Sequence, residues 1–213
     1  MASEIDICNL ALAHLGDTAT IASLSPPEGS AQAEHCAMFY PVARDSLLEM
    51  HSWGFATRRV QLALLASGWP EWTYAYAQPA DALNVIAILP PESTDDYSTG
   101  VPDSAGGSYV PQPFSCEIND SGAPVIYTDQ ADAVLRYSAA VTDPTRFSPL
   151  FVMALSWHLA SMLAGPIIKG DAGAAEAKRC AGMMQAYLSK AVESDSSQRR
   201  VRPEHVVGWM AGR

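Results

Sequence analysis

Between Arg59 and Arg136 the chain has no lysine and no arginine. The same stretch carries ten carboxylates: Glu71, Asp81, Glu92, Asp95, Asp96, Asp103, Glu117, Asp120, Asp129 and Asp132. Their number equals the formal net charge of −10, so the charges of the two flanks balance when taken together. A body without cations repels phosphate, which excludes a nucleic-acid grip in this region. Cysteine is sparse as well. Cys8, Cys36, Cys116 and Cys180 form no CxxC and no metal-type spacing. Each is expected to be a small buried apolar residue in a reducing compartment.

The signatures of common chemistries are missing too. There is no HExxH, GxSxG, GxGxxG or P-loop. The richest glycine stretch, Ser104-Ala105-Gly106-Gly107-Ser108, has neither a lysine nor a following helix, and reads as a flexible loop. The histidines (His14, His35, His51, His158, His205) show no metal-helix spacing. His35 and Cys36 are neighbours, but adjacent helical residues do not face each other. No cofactor and no metal are expected. No basic segment followed by an apolar one opens the sequence, so no leader peptide is expected. The run from Phe151 to Ile168 approaches membrane length, yet Ser156, His158, Ser161 and Gly165-Pro166 interrupt it. A buried helix is the expected reading, with no membrane partner.

What is present is a globular composition of 213 residues, 48% hydrophobic and 17% charged. Ser3 and Asp6 form a capping-box pattern for a helix over 3–15, with Ile5, Cys8, Leu12 and Leu15 on one face and Gly16 as its stop. A second helix is expected over 30–52, striped by Cys36, Phe39, Ala43, Leu47 and Met50 and kinked at Pro41. From Phe55 the period shortens to two. Strands are expected around Arg58 to Leu64, Trp72 to Tyr76, Val85 to Leu89, Phe114 to Ile118, Pro124 to Asp129 and Ala133 to Ala140. Asn119-Asp120-Ser121-Gly122 joins two of them as a hairpin. Residues 90–113 read as a long loop. Ser148-Pro149 then starts a third helix bearing Phe151, Leu155, His158, Met162 and Leu163, which Gly165-Pro166 ends or bends. Asp171 is expected to cap a fourth, over 172–194, with Ala177, Cys180, Met184, Leu188 and Ala191 as its stripe.

This order predicts an α+β protein. Residues 1–54 and 147–194 make a four-helix bundle, 55–146 an inserted antiparallel β domain that holds the acidic stretch, and 195–213 an extended C-terminal arm. The aromatic cluster Trp53, Trp69, Trp72, Tyr74 and Tyr76 lacks the cations that base-stacking surfaces add, so core or subunit packing is expected.

Several segments resemble one known family. Trp53-Gly54-Phe55-Ala56-Thr57-Arg58-Arg59 with Leu62-Ala63, and Trp72-Thr73-Tyr74-Ala75-Tyr76 followed by Pro79, Asp81 and Leu83, are similar to phage head-to-tail adaptors of the tail tubular protein A type. Phe39-Tyr40-Pro41-Val42-Ala43-Arg44-Asp45-Ser46-Leu47-Leu48 and the stretch Phe151 to Pro166 fit the same pattern. The resemblance spans about residues 3–192. It implies a non-enzymatic structural virion protein in the neck or tail, assembled in the host bacterial cytoplasm. It implies a homo-oligomeric ring, usually of about twelve copies, between the portal protein and the tail nozzle or tail fibre proteins. DNA passes through such a bore during ejection without specific binding. On this reading Trp53, Phe55, Trp72, Tyr74, Tyr76 and Pro79 are packing residues, and Arg58 and Arg59 are intersubunit contacts or internal ion pairs. Asp95, Asp96, Asp103 and Asp120 are channel or interface carboxylates. Arg199, Arg200, Arg202, Val206 and Trp209 form a portal-docking arm. The alternatives are another neck component, such as a stopper or completion protein, and a virion-associated cell-wall hydrolase with paired carboxylates.

Overall fold

The structure, a computed structural model, describes residues 2–66, 69–91 and 112–198. Among the described residues it is an α+β protein with four α-helices and two three-stranded antiparallel sheets. The chain divides into two compact units. The helical unit is Met1–Ala56 with Ala140–Gln198, and the β unit is Thr57–Ala139.

In the helical unit, α1 (Glu4–His14) begins at a capping box in which Ser3 Oγ accepts from Asp6 N and Asp6 accepts from Ser3 N. Its inner face is Ile7, Cys8, Ala11 and Leu12, while Ile5 and Leu15 are only half-buried. Asn9 then clamps the following loop: its side chain both donates to and accepts from the backbone of Ile21, at 3.1 and 2.8 Å. The next helix, α2 (Ala31–Glu49), is capped by Ser30 and continues through Pro41. It buries Ala33, Cys36, Tyr40, Ala43, Leu47 and Leu48. Of the expected stripe Cys36, Ala43 and Leu47 are buried, whereas Phe39 is half-buried and Met50 exposed, and Tyr40 and Leu48 are buried in their stead.

Ser148 caps α3 (Pro149–Ile168), with Pro149 in the first turn. This helix packs against α1, α2 and α4, which explains why apolar residues surround it. Its length and composition would allow it to cross a membrane, and half of its apolar stretch is buried within the structure. Gly165-Pro166 does not end it. Proline there removes one donor near the end of the helix, and Lys169 N still reaches Gly165 O at 3.1 Å. A single residue, Lys169, separates α3 from α4 (Gly170–Ser197). Asp171 makes no cap, because the helix starts two residues earlier than expected, at Gly170, and Lys169 in the cap position offers no side-chain acceptor. Gly173 lies against α3: a Cβ there would stand 2.9 Å from Ala164 O. The helix α4 also runs through 195–197, residues expected to begin the arm.

In the β unit the strands are β1 (Thr57–Gln61), β2 (Tyr74–Ala77), β3 (Ala82–Leu89), β4 (Phe114–Ile118), β5 (Pro124–Thr128) and β6 (Val134–Ala139). One sheet has the order β1-β6-β3, the other β2-β5-β4. The expected hairpin joins β4 to β5, with Ile118 opposite Pro124. Asn119 Oδ1 accepts from Ser121 N and Ala123 N, and Gly122 takes φ +80°, a conformation open to glycine. The inner faces of the two sheets share one core: Tyr76 and Ile126 from one, Ile88, Leu135 and Tyr137 from the other. Of the expected loop 90–113, residues 92–111 lie outside the described residues.

Candidate functional site

The acidic stretch is the first candidate. Asp81, just before β3, is held within the β unit: Arg58 donates to it at 2.7 Å and Tyr137 Oη at 3.0 Å. Arg58 and Tyr137 are register partners on β1 and β6, so sheet pairing sets both donors beside one carboxylate. Asp129 accepts from the backbone N and Oγ1 of Thr73, and those hydrogen bonds hold its carboxyl below the ordinary range. Glu117 accepts from Ser115 Oγ on the same strand. Asp120 lies exposed on the β4–β5 turn, and Glu71 and Asp132 are exposed as well. Asp95, Asp96 and Asp103 lie outside the described residues, as does the arm with Arg199, Arg200, Arg202, Val206 and Trp209. Arg59 is exposed on β1, an edge strand whose other side pairs with β6.

The aromatic residues divide between the units. Trp53 is fully buried, donates from Nε1 to Leu47 O at 2.8 Å and meets Phe151 edge-on at 5.0 Å. Phe55 adds contacts to Trp53, Phe147 and Phe151. In the β unit Tyr76 is buried and its hydroxyl donates to Gln130 O at 2.9 Å. Tyr74 packs on the same core, Trp72 on Ala75, Val125 and Tyr127. Pro79 is half-buried, and its carbonyl accepts from Ala82 N at the entry to β3. These rings are packing elements; Trp69 is exposed.

Two serine–histidine pairs were not visible in the sequence. His14 Nε2 lies 3.0 Å from Ser156 Oγ, and His158 Nε2 lies 3.0 Å from Ser46 Oγ. Each hydroxyl already donates to a carbonyl three residues back, Ser156 to Met153 and Ser46 to Ala43. A hydroxyl has one proton, so the imidazole must be the donor in both pairs. An activated serine needs the opposite polarity, with the imidazole accepting. The pairs therefore act as ties, α1 to α3 and α2 to α3. His14 also stacks on Trp157 at 3.6 Å, and the guanidinium of Arg179 covers that indole at 5.2 Å. Burial holds both His14 and His158 below the ordinary imidazole value, with Arg179 adding to the effect at His14.

Cys8, Cys36 and Cys180 are buried, whereas Cys116 on β4 is exposed, against expectation. The Cys8 and Cys36 thiols share a hydrogen bond, which with burial pushes the Cys8 thiol upward. His35 turns instead to Phe39, at 6.2 Å. No group of histidine, cysteine and carboxylate residues suited to a metal ion occurs among the described residues.

Asp195 holds a role that no motif announced. Its carboxylate accepts from Gly54 N at 3.0 and 3.2 Å and lies 3.4 Å from His51 Nε2. The last turns of α4 thus fasten the segment that follows α2. A side chain at Gly54 would press on that carboxylate, with a Cβ 3.3 Å from Oδ1. Sequence spacing gave no sign of it, because the partners are 141 residues apart. No protein-family model matches this chain, and no curated protein matches it.

Proposed function

We propose that this chain is a structural virion protein, a head-to-tail adaptor. It forms a homo-oligomeric ring that joins the portal to the tail nozzle and extends the DNA channel. In this reading α1 to α4 are the bundle that packs side by side, and the β unit meets the nozzle. Residues 199–213 grip the portal, and carboxylates such as Asp120 keep phosphate from adhering as DNA passes.

One observation carries the reading: a helical unit assembled from both ends of the sequence is interrupted by a β unit whose residues 60–135 hold no cation. The resemblance of residues 3–192 to phage adaptors supports it. So does the use of the aromatic motifs as packing elements and of both serine–histidine pairs as ties. The test is electron microscopy of the purified chain mixed with a phage portal protein. A ring seated on the portal, with an acidic bore, is expected. A lone subunit, or a bore lined by cations, sinks the proposal.

A further inference from the structure

We infer, independently of the ring reading, that the outer edge of β4 takes up one extended strand of a partner protein, a strand in which lysine or arginine alternates with apolar residues.

The sheet β2-β5-β4 is closed on one side and open on the other. Beyond β2, Leu65 N donates to Ala75 O at 2.8 Å and Ala77 N to Ala63 O at 3.0 Å, so the chain itself occupies that edge. Among the described residues nothing pairs with the far side of β4. The ladder fixes which groups are left over there. Pro124, opposite Ile118, turns its carbonyl to Gln78 N on the β2 side, while Asn119 N donates to Ala123 O. Antiparallel bonds alternate along a strand. Ser115 and Glu117 therefore bond to β5, and the N–H and C=O groups of Phe114, Cys116 and Ile118 point outward. Edge strands are commonly blunted by lysine, proline or a bulge. Phe114–Ile118 contains neither residue, and its register with β5 is unbroken.

The side chains of β4 alternate as well. Phe114, Cys116 and Ile118 share one face, Ser115 and Glu117 the other. Phe114 packs on the core of the β unit, whereas Cys116 is exposed and Ile118 is 74% exposed. A strand that covers Cys116 and Ile118 with apolar side chains extends that core beyond β4. Charge selects the other face of the incoming strand. Residues 60–135, which include this whole sheet and its turns, hold no lysine or arginine. The arginines of the β unit, Arg58, Arg59 and Arg136, lie on β1 and β6 in the other sheet. Glu117 and Asp120 are exposed at the open edge, and the bond from Ser115 Oγ leaves the charge of Glu117 intact. A second β4 paired antiparallel would set two Glu117 carboxylates on one face of the join, which is unfavourable. A strand with basic residues beside Glu117 satisfies backbone, apolar face and charge together.

The test uses the full chain and a short synthetic peptide alternating lysine and valine. Binding with a Kd below about 1 mM is expected, with slowed amide hydrogen exchange at Cys116 and Ile118. N-methylation of every second peptide residue keeps the charge and removes the donors on one side of the strand. Of its two registers, one should weaken binding by at least about ten-fold and the other leave it intact. Ile118→Pro deletes an outward N–H that β5 does not use, and should weaken binding equally. Glu117→Lys should lose the lysine–valine peptide and gain a glutamate–valine one. Thermal midpoints show that both variants fold. No binding at about 1 mM, equal binding by both N-methylated registers, or unchanged binding by folded Ile118→Pro and Glu117→Lys overturns the inference. Self-association of the unaltered chain that Ile118→Pro abolishes would give the edge to a second copy. Tighter peptide binding after truncation at Gln198 would give it to the chain's own residues 199–213. Either result also overturns the partner strand.

Discussion

His158 and His14 illustrate how single residues set the response of the helical unit to acid. Both imidazoles are held below their ordinary value by burial, and each donates to a serine while neutral. The unfolded chain takes up protons as pH falls through about 6.5, while the folded chain resists. Stability is therefore fully present above pH 6.5 and is lost as pH falls toward the depressed folded values. Each histidine contributes at most about 1.4 kcal/mol per pH unit. Thermal midpoints measured from pH 7 to 5 should decline, and His158→Gln, whose amide still donates to Ser46, should flatten part of that decline. An identical slope in the variant would mean that this residue is not the titrating group. The two ties were illegible in the sequence because both depend on helix–helix register, which spacing along one helix does not encode.

At the scale of elements, local chemistry was readable wherever it was local. Ser3 with Asp6, Ser148 with Pro149, and the Asn119 turn each act within a few residues and occur where expected. The failures came where packing overrides local preference. Gly165-Pro166 reads as an end or a bend, yet α3 continues through it to Ile168, with Gly173 of α4 lying against Ala164. Gly173 and Gly182 make this testable on one helix. Gly182→Ala should raise stability by about 0.5–1 kcal/mol through helix propensity. Gly173→Ala gains the same propensity but places its Cβ 2.9 Å from Ala164 O, and overpacking of that kind costs about 1–3 kcal/mol. Denaturant titration of the two variants should separate them by roughly 2 kcal/mol. Equal stabilities would mean that α4 shifts freely against α3.

At the scale of the whole molecule, the α+β character was legible from the change of period at Phe55 and the return of helical caps at Ser148. The expected arm boundary at 195 was not, because the tether of Asp195 to Gly54 has no sequence signature. That tether fixes where the chain can be shortened. Truncation after Gln198 keeps α4 and its carboxylate, so the subunit should fold with an unchanged thermal midpoint while losing portal binding. Normal portal binding by that variant would remove the docking role of Arg199, Arg200, Arg202, Val206 and Trp209. Asp195→Ala, with every arm residue intact, should instead lower stability by about 1.5–3 kcal/mol, the usual range for hydrogen bonds to a charged group. Calorimetry of the two variants separates the stability that Asp195 supplies from any contribution of residues 199–213.

The separation of Gly54 and Asp195 also orders events on the ribosome. Gly54 is synthesised 141 residues before the carboxylate that fastens it, an interval on the order of ten seconds at ordinary elongation rates. For the earlier part of that interval, while the β unit is made, α1 and α2 exist without α3, the helix on which both pack. The β strands, synthesised in between, have all their pairing partners before α3 emerges. The nascent helical half must therefore wait, its apolar faces uncovered, until α3 has been made.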